Sequence, residues 1–374
     1  MAPHFQNKPA LVTSATAQVA NGNGELLASL PSYTNQQLSF QIPEFRAHRL
    51  FIGGHLQTVA VALLPLGKFA YQAKQHRISL ADGDQLVLHD DSPASWQNGG
   101  PIVLLLHGLG GDHRSCYVVR TAHKLNALGV RTFSMDLRGC GAGFALARYT
   151  THAGRSEDVA SALACIRKMC PGSPIIVVGY SMSGNLVLKM AGEFGGEIPG
   201  PLDSVIAVSP PVDLEACSQK FQTGINRFYD QYYLYRCMQV IARKSREVCA
   251  RTFRVQSRRP RTLREFDDIY TAPLAGFEDS AEYYAHASTI SLVPQIQVPT
   301  LIISADDDPI IPIHTITDLA RPANVLLHIT RSGGHLGFYA RSGPDPDRHW
   351  LDWRILDWVC QRFGFASRVA SERG

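Results

Sequence analysis

The sequence has no long apolar run and no strong excess of charge of either sign. Its 374 residues contain 36 Lys and Arg against 32 Asp and Glu, so the formal net charge is only +4. A balance this mild gives no argument for a nucleic-acid partner. The longest apolar run near the N-terminus, residues 59–66, is interrupted by Pro65 and falls far short of the roughly 20 residues that a membrane span needs. We therefore predict no transmembrane segment and no nucleic-acid partner.

Signals for metal binding, phosphate binding and secretion are also missing. The eight cysteines are scattered, without a CxxC pair and without a Cys and His cluster at metal-ligand spacing. There is no GxxxxGKS/T phosphate loop, and the GCGAG segment at 139–143 has its third glycine one position too early for a dinucleotide loop. No secretory signal is visible, and scattered cysteines are then typical of reduced thiols. We expect a cytoplasmic protein without a metal or an organic cofactor.

Two short polar groups, at 89–91 and 112–113, contain histidine next to aspartate. Neither has a partner motif at metal-ligand spacing, so we predict that both are solvated loops. The overall composition, 45% hydrophobic and 18% charged, is typical of a globular protein. Residues 1–40 are rich in Asn, Gln, Ser and Thr without periodicity, and we expect a loosely ordered arm there.

Short apolar runs alternate with helical patterns over most of the remaining chain. Residues 77–89 predict a β-hairpin around an Asp-Gly turn. Further strands are predicted at 101–108, 130–136, 174–181, 204–211, 298–309 and 323–330, and helices at 116–128, 156–169, 182–191 and 348–363. Strands that are apolar throughout favour a parallel sheet covered by helices on both faces. We predict an α/β fold with a mostly parallel eight-stranded sheet.

The alternation stops between the sixth and seventh predicted strands. Residues 213–292 show helical patterns and no strand-like run, which predicts a helical lid inserted between two parts of the sheet domain, 41–212 and 293–374. Five aromatic residues in the insertion are expected to form the core of the lid: Phe228, Tyr229, Tyr232, Tyr233 and Tyr235. Residues 243–264 carry nine Lys and Arg against one acid, which indicates either a solvated helical face and loop or a site that attracts anionic lipid or an acidic substrate.

The strongest chemical signal is the sequence GYSMSG at 179–184, at the end of a predicted strand and the start of a helix. A sharp turn between strand and helix exposes its central serine, here Ser181, as a nucleophile. The turn needs very small residues two positions to either side of the serine. Gly179 meets this need, while Ser183 replaces the usual second glycine at an expected cost of about 1 kcal/mol in crowding. The alternative interpretation is that Ser181 only caps the helix.

An acid and a histidine follow Ser181 in an informative order. Asp306, Asp307 and Asp308 come just after one later strand, and His335 follows the last strand in a loop that contains two glycines. All fall at the carboxyl ends of predicted parallel strands, where such sheets place their sites. A nucleophile, an acid and a histidine in this order are typical of the α/β-hydrolase fold. Sequence position alone does not choose among the three aspartates.

A glycine loop supplies the remaining part of a serine-hydrolase site. The sequence HGLGG at 107–111 follows the first parallel strand. The fold takes one oxyanion donor from such a loop and one from the residue after the nucleophile. We therefore predict the backbone N–H groups of Leu109 and Met182 as the oxyanion hole. The alternative is a plain glycine-rich connection. His107, at the end of the strand, indicates a positioning role.

Several segments together resemble the YheT-like branch of the α/β hydrolases, over roughly residues 40–365. The matching stretches are HLQT at 55–58, HGLGG at 107–111, DLRGCG at 136–141, GYSMSGN at 179–185 and a spaced set from Asp267 through Gly276, Phe277, Glu282, Tyr283, Tyr284, Ser288, Ile296 and Pro299 to Asp308. This resemblance implies that Asp308 is the catalytic acid, which leaves Asp306 and Asp307 to shape the loop. It also implies activity on medium-chain esters and lipids.

The combined expectation is a serine hydrolase that cleaves carboxylic esters through Ser181, Asp308 and His335. The substrate is expected to be a short- to medium-chain acyl ester or an acylglycerol-type lipid. Two alternatives remain open: acyl transfer to an alcohol with the same residues, and a hydrolase-like scaffold that binds lipids or partners without turnover. The sequence gives no mechanism for the HLQT segment.

Overall fold

The computed structural model describes residues 40–63, 73–195, 202–248 and 258–365 of the chain. The arm predicted over residues 1–40 lies outside the described residues, apart from Phe40. Eight strands form a single sheet. In chain order they are β1 Lys74–Ser79, β2 Gln85–Asp91, β3 Ile102–Leu106, β4 Arg131–Asp136, β5 Ile175–Tyr180, β6 Leu202–Val208, β7 Thr300–Ala305 and β8 Val325–Thr330.

The order of the strands across the sheet is β1-β2-β4-β3-β5-β6-β7-β8. The hairpin strands β1 and β2 are antiparallel, and β2 also pairs with β4 in the antiparallel sense. The pairings that join β4, β3, β5, β6, β7 and β8 are all parallel. The predicted mostly parallel, eight-stranded sheet is therefore confirmed. Its parallel strands end at one common edge, which is where a site is expected.

Helices connect the strands and flank the sheet. The α-helices in the described residues are α1 Gly54–Leu63, α2 Cys116–Ala127, α3 Ser156–Met169, α4 Met182–Phe194, α5 Leu214–Phe221, α6 Arg227–Glu247, α7 Leu263–Phe266, α8 Ala272–Ala275, α9 Ser280–Ala287, α10 His314–Thr317 and α11 Trp350–Phe363. The bounds of α2, α3, α4 and α11 agree with the sequence prediction to within a few residues. None of the helices in the described residues has both the length and the apolar character that a bilayer crossing needs.

Both faces of the central strands are buried, as β3 and β5 show. Successive side chains along a strand point to opposite sides, so each central strand contributes to two cores. On β3, Leu104 and Leu106 join a core with α3 and α4, whereas Val103 and Leu105 join a second core with α2 and α11. All four side chains are fully buried. A parallel sheet that is covered on both faces leaves no solvent-facing positions, which explains the continuous apolar runs of the sequence.

Between β6 and β7 the described residues form helices, α5 to α9, and no strand. This agrees with the helical character predicted there, although residues 249–257 lie outside the described ranges. The longest helix of this segment is α6, with 21 residues. Its Leu234 and Ile241 pack against Phe266 and Tyr270 in a small apolar core. The inserted helices therefore have a core of their own beside the two cores of the sheet.

The prediction for the five aromatic residues near the start of α6 is wrong for three of them. Tyr229 and Tyr233 are partly buried against the main core, as expected. Phe228, Tyr232 and Tyr235 are instead exposed by 76%, 52% and 62% of their surface. Composition indicates that a helix has apolar side chains, but it does not say that all of them face the protein.

Candidate active site

Ser181 occupies the single position between the end of β5 and the start of α4. Its backbone has φ 54° and ψ −121°, a region that residues with a side chain rarely adopt. Such a conformation costs about 1–3 kcal/mol and is typical of functional sites. Although Ser181 stands at the capping position of α4, its side chain makes no capping hydrogen bond. The capping alternative is therefore wrong.

The sharp turn depends on the small residue at 179. A Cβ atom on Gly179 would lie 2.1 Å from the carbonyl oxygen of Ser183, so no other residue fits without moving the backbone. Ser183 itself is fully buried, and its hydroxyl donates a hydrogen bond of 2.5 Å to the carbonyl oxygen of His107. The crowding cost expected for Ser183 stays a prediction, but its side chain has an acceptor at the end of β3. This bond links the turn to the start of the glycine loop.

The structure brings together the three side chains named from the sequence. Nε2 of His335 lies 2.8 Å from Oγ of Ser181. On the other side of the ring, Nδ1 of His335 lies 2.9 Å from Oδ2 of Asp308. His335 and Asp308 are 5% and 1% exposed. A hydroxyl, an imidazole and a carboxylate therefore form one continuous hydrogen-bonded chain at the carboxyl edge of the sheet.

The second oxygen of Asp308 is held by the backbone. Oδ1 accepts hydrogen bonds from the N–H groups of Ile310 and Ile311, at 2.8 and 3.0 Å. The ammonium group of Lys220, on α5, donates to the carbonyl oxygens of Asp308 and Ile311 at 2.7 and 2.9 Å. Burial lowers the pKa of Lys220, against the attraction of Asp308. The inserted helices are thereby tied to the loop that carries the acid.

The other two aspartates of the triplet have different surroundings. Asp306 is exposed, whereas Asp307 is half-buried and accepts a hydrogen bond of 2.8 Å from the backbone N–H of Gly334. Burial raises the pKa of Asp307 above its usual value. Asp307 therefore holds the histidine loop in place, and neither residue lies within the hydrogen-bonded chain of Ser181, His335 and Asp308.

The HLQT segment lies in α1 against the histidine loop, which indicates a role that its sequence alone does not reveal. The hydroxyl of Thr58 accepts a hydrogen bond of 2.9 Å from the backbone N–H of His335 and donates one of 2.7 Å to the carbonyl oxygen of Gly54. The fully buried amide of Gln57 pairs with both backbone groups of Tyr339, accepting at 2.8 Å and donating at 3.1 Å. Helix α1 is thus a clamp on the loop that carries His335.

We expect Thr58→Val to lower kcat/KM by about 10- to 100-fold, because small displacements of a reacting group have effects of that size. The substitution keeps the shape of the side chain but leaves the N–H of His335 without its acceptor. Ester hydrolysis by Thr58→Ser, which restores the hydroxyl, is the matched control. A change confined to kcat that serine rescues is expected. Equal rates in Thr58→Val and wild type would show that α1 does not position His335.

The side chain of His107 holds the start of the glycine loop after β3. Nδ1 of the buried His107 lies 2.8 Å from the carbonyl oxygen of Gly108, and its Nε2 accepts a hydrogen bond of 3.1 Å from the N–H of Leu137. These partners require a neutral ring with its proton on Nδ1. Burial also lowers the pKa of His107, which favours the neutral form. The geometry fits the positioning role expected of His107.

A second polar cluster lies next to this loop. Asp136, at the end of β4, accepts hydrogen bonds from ring nitrogens of His89 and His113, at 2.8 and 2.9 Å, and from the backbone N–H groups of His113 and Ala142, both at 2.8 Å. The prediction of solvated loops is wrong for both histidines, which are 1% and 9% exposed. His89 lies in β2, which pairs with β4.

The donor set of this cluster could ligate a metal ion. However, the four hydrogen bonds already account for both oxygens of Asp136 without a cation. The imidazole rings of His89 and His113 are stacked, with centroids 3.5 Å apart. We interpret the cluster as a brace that fixes the chain directly after the glycine loop.

A cavity of about 390 Å³ opens beside Ser181. Leu109 and Met182, the predicted oxyanion donors, lie in its wall together with Ser181. Much of the remaining wall is aromatic or aliphatic and includes Phe144, Phe221, Tyr233, Ile310 and Ile311. Both the volume and the mostly apolar lining are typical of a site for a small organic molecule.

Comparison with known proteins identifies the family. The profile described as alpha/beta hydrolase fold matches residues 101–341, which is more than half of the chain. The chain belongs to the α/β-hydrolase family. This α/β hydrolase is also 33% identical over 328 residues to "Putative esterase YheT" of Escherichia coli (strain K12), covering 84% of this chain and 93% of that protein. The predicted membership of the YheT-like branch is confirmed.

Two further comparisons agree with this placement. "Phospholipase ABHD3" of Mus musculus is 30% identical over 276 residues, covering 71% of this α/β hydrolase and 66% of that protein. Among solved structures, that of the 2,6-dihydroxy-pseudo-oxynicotine hydrolase has a TM-score of 0.51 and 20% identity, covering 80% of this chain and 70% of that chain. At this identity the structural similarity shows the fold alone.

One acid in the wall of the cavity has unusual surroundings. Asp267 begins a π-helical turn, Asp267–Thr271, between α7 and α8, and such turns are frequent at functional sites. The hydroxyl of Tyr284 donates a hydrogen bond of 2.7 Å to its Oδ2. Burial raises the pKa of Asp267 to about 6, and hydrogen bonds from Thr271 and Tyr284 offset only part of that rise. This position opens the motif that runs from Asp267 to Asp308.

We expect Asp267→Asn to stabilise the α/β hydrolase above pH 6. The pKa of Asp267 rises from 3.8 to about 6 on folding, so between these pH values the folded state binds more protons than the unfolded state. The free energy of unfolding therefore falls as pH rises through this window, by up to about 3 kcal/mol from this group. Asparagine removes that loss, while its carbonyl still accepts from Tyr284.

Urea unfolding at pH 4 and at pH 8 measures this effect. The gain in stability of Asp267→Asn should appear at pH 8 and vanish at pH 4. The exposed neighbour Asp268 gives the matched control. Asp268→Asn also removes one negative charge, but it removes it from an exposed carboxylate. A gain that is the same at both pH values would contradict the assignment of the effect to ionisation of Asp267.

Proposed function

We propose that this α/β hydrolase cleaves carboxylic esters through an acyl-serine intermediate. The observation that carries the proposal is the hydrogen-bonded chain from Ser181 through His335 to Asp308, with distances of 2.8 and 2.9 Å, at the wall of an apolar cavity. Ester hydrolysis as the general activity is also supported by relatives named as an esterase and a phospholipase.

The reaction begins when Oγ of Ser181 attacks the ester carbonyl while Nε2 of His335 accepts its proton. Asp308 holds the ring in the tautomer that presents Nε2 to the serine and stabilises the imidazolium that forms. His335 then protonates the departing alcohol. Water, activated by the same nitrogen, attacks the acyl-serine and releases the acid. The scheme uses only side chains and water, without a metal or an organic cofactor.

The tetrahedral intermediates carry a negative oxygen, which needs fixed donors. We assign this role to the backbone N–H groups of Leu109 and Met182. Both residues lie in the wall of the cavity with Ser181, and Met182 is the first residue of α4. The N-terminus of a helix favours negative charge, so the start of α4 supports the assignment. The bond from Ser183 to His107 joins the two segments that supply these donors.

We propose short- to medium-chain acyl esters or acylglycerol-type lipids as substrates. The cavity of about 390 Å³ has room for an acyl chain of modest length, and its apolar wall favours such a chain. Residues 213–292 then act as a lid that limits chain length. The arginines of its basic stretch supply peripheral contact with a membrane. No disulfide joins any of the seven cysteines in the described residues, which favours a reducing compartment, the cytoplasm.

Hydrolysis of nitrophenyl esters with increasing acyl length tests this proposal. The proposed cavity predicts that kcat/KM rises with chain length to a maximum at medium chains and falls for longer ones. Adding ethanol and analysing the products separates free acid, the product of hydrolysis, from ethyl ester, the product of acyl transfer. No turnover of any ester by the folded protein would refute the proposed function and favour a binding scaffold.

A further inference from the structure

Two helices next to the candidate site expose apolar side chains to solvent. On α1 and the segment before it, and on the first half of α6, seven such side chains have 42% to 76% of their surface exposed: Leu50, Ile52, Leu56, Val59, Phe228, Tyr232 and Tyr235. We call these residues the α1–α6 surface. Solvent-facing positions of helices in globular proteins normally carry polar side chains, and clustered apolar exposure indicates an interaction site.

The exposed aromatic side chains of α6 recur at helical spacing. Phe228, Tyr232 and Tyr235 lie four and then three residues apart, so they form one stripe along the outer face of the helix. On α1, Leu56 and Val59 are exposed on one side, while Gln57 and Ala60 are buried on the other. Each helix therefore has one face that packs against the protein and an opposite face that exposes apolar side chains to solvent.

A direct contact joins the two helices. Nδ1 of His55, on α1, lies 3.1 Å from the hydroxyl of Tyr229, on α6, and the two rings are stacked with centroids 5.7 Å apart. His55 is the neighbour of Leu56, and Tyr229 is the neighbour of Phe228. The exposed residues of α1 and α6 therefore belong to neighbouring parts of one surface.

Arginines border the aromatic stripe. Arg227 is exposed immediately before Phe228. The side chain of Gln231, one turn further along α6, donates a hydrogen bond of 2.7 Å to the carbonyl oxygen of Arg261, which brings that segment beside the stripe. Arg258, Arg259 and Arg261 are all exposed. Of the nearby acids, Asp230 is buried. Glu265 lies 3.7 Å from Arg258 and offsets its charge, so the positive charge at this border comes mainly from the exposed Arg227, Arg259 and Arg261.

Helix α6 lies between the exposed aromatic stripe on its outer face and the cavity on its inner face. Tyr233, Cys237 and Val240, on the inner face, lie in the wall of the cavity that contains Ser181. Arg236 of the same helix donates a hydrogen bond of 2.7 Å to the carbonyl oxygen of Gly110 in the glycine loop. Whatever binds the outer face of α6 is therefore separated from the candidate site by the thickness of a single helix.

We propose that the α1–α6 surface docks this α/β hydrolase onto an anionic lipid surface, with its apolar side chains among the acyl chains and its arginines at the headgroups. The proposal rests on the proposed function and names the lipid phase as the source of the ester. Aliphatic, Phe and Tyr side chains bordered by Arg are the composition that interfacial segments use. A second copy of the chain fits less well, because a two-fold contact through this surface would bring the arginine borders of both copies together.

Co-sedimentation with vesicles tests the proposal. The full chain with Ser181→Ala serves as the parent protein, so that binding is measured without hydrolysis of the vesicle and does not depend on the proposed activity. We expect it to bind vesicles of phosphatidylcholine with phosphatidylglycerol, more weakly at high salt, and to bind phosphatidylcholine alone poorly. Phe228→Ser, Tyr232→Ser and Tyr235→Ser together should lower the partition coefficient about tenfold or more, because three interfacial side chains are lost.

Ile290→Ser is the matched control, since Ile290 is 43% exposed but lies outside the α1–α6 surface. It should leave vesicle binding unchanged. With Ser181 intact, the triple variant should hydrolyse a soluble short-chain nitrophenyl ester at the wild-type rate, which shows that it is folded. If it does not fold, Phe228→Ser alone should still lower binding severalfold. Equal vesicle binding by the Ser181→Ala parent and its triple variant would overturn the proposal, as would light scattering that shows a parent oligomer dissociated by these substitutions.

Discussion

Replacing Ser181 with alanine is expected to lower kcat for ester hydrolysis by about a millionfold, the scale seen when a serine nucleophile is removed. The side chain of Ser181 is the only part of the hydrogen-bonded chain that can form the acyl bond, so the remaining groups have nothing to activate. The proposed oxyanion donors and the cavity stay in place. A residual acceleration of about 1,000- to 10,000-fold over water is therefore expected to persist.

Ser183 provides a close control for this experiment. It is buried two positions away, and its hydroxyl also makes a hydrogen bond, but to the carbonyl oxygen of His107 rather than to His335. Ser183→Ala should keep kcat within an order of magnitude of wild type and cost about 1 kcal/mol of stability from the lost hydrogen bond. If Ser181→Ala and Ser183→Ala lose activity equally, the turn affects activity only through its structure, and Ser181 is not the nucleophile.

Replacing Asp308 with asparagine is expected to lower kcat by about 10,000-fold. The backbone donors of Ile310 and Ile311 fix one oxygen of this side chain, so the amide nitrogen of asparagine must face His335. A donor at that position forces the proton of the ring onto Nε2. The imidazole then loses its ability to accept the proton of Ser181, although the geometry is nearly unchanged.

The aspartate triplet contains its own controls. Asp306→Asn changes an exposed residue and should leave the rate near that of wild type. Asp307→Asn alters the acceptor of Gly334 in the histidine loop and should have an intermediate effect. In the same nitrophenyl ester assay, we expect the loss of kcat to increase from Asp306→Asn through Asp307→Asn to Asp308→Asn. A larger loss at 306 than at 308 would show that the acid has been assigned to the wrong residue.

The fold, and the convergence of the three proposed catalytic residues, could be predicted because both depend on local patterns. Apolar strands that alternate with helices specify a parallel sheet, and a parallel sheet sends the ends of β5, β7 and β8 to one edge. The positions of Ser181, Asp308 and His335 after these strands therefore implied that they converge. Choosing Asp308 over its neighbours needed the family resemblance, since all three aspartates share the same loop.

Other features of the site depend on contacts that local patterns do not encode. Thr58 and His335 are far apart in the chain, and no periodicity shows that α1 packs on the histidine loop. The solvated loops expected for His89 and His113 follow from each segment taken alone. The pairing of β2 with β4 brings His89 to Asp136, and the loop between β3 and α2 brings His113 there. Amphipathic patterns also fail for α6, where both faces carry aromatic side chains.

The most direct test of the account is the site of reaction with a fluorophosphonate probe, which forms a covalent bond only with an activated serine. Intact-mass measurement should show one probe per chain of wild type, located on Ser181 by peptide mapping, and none on folded Ser181→Ala. A folded wild type that takes up no probe, or a probe that remains on Ser181→Ala at another residue, would contradict the central claim.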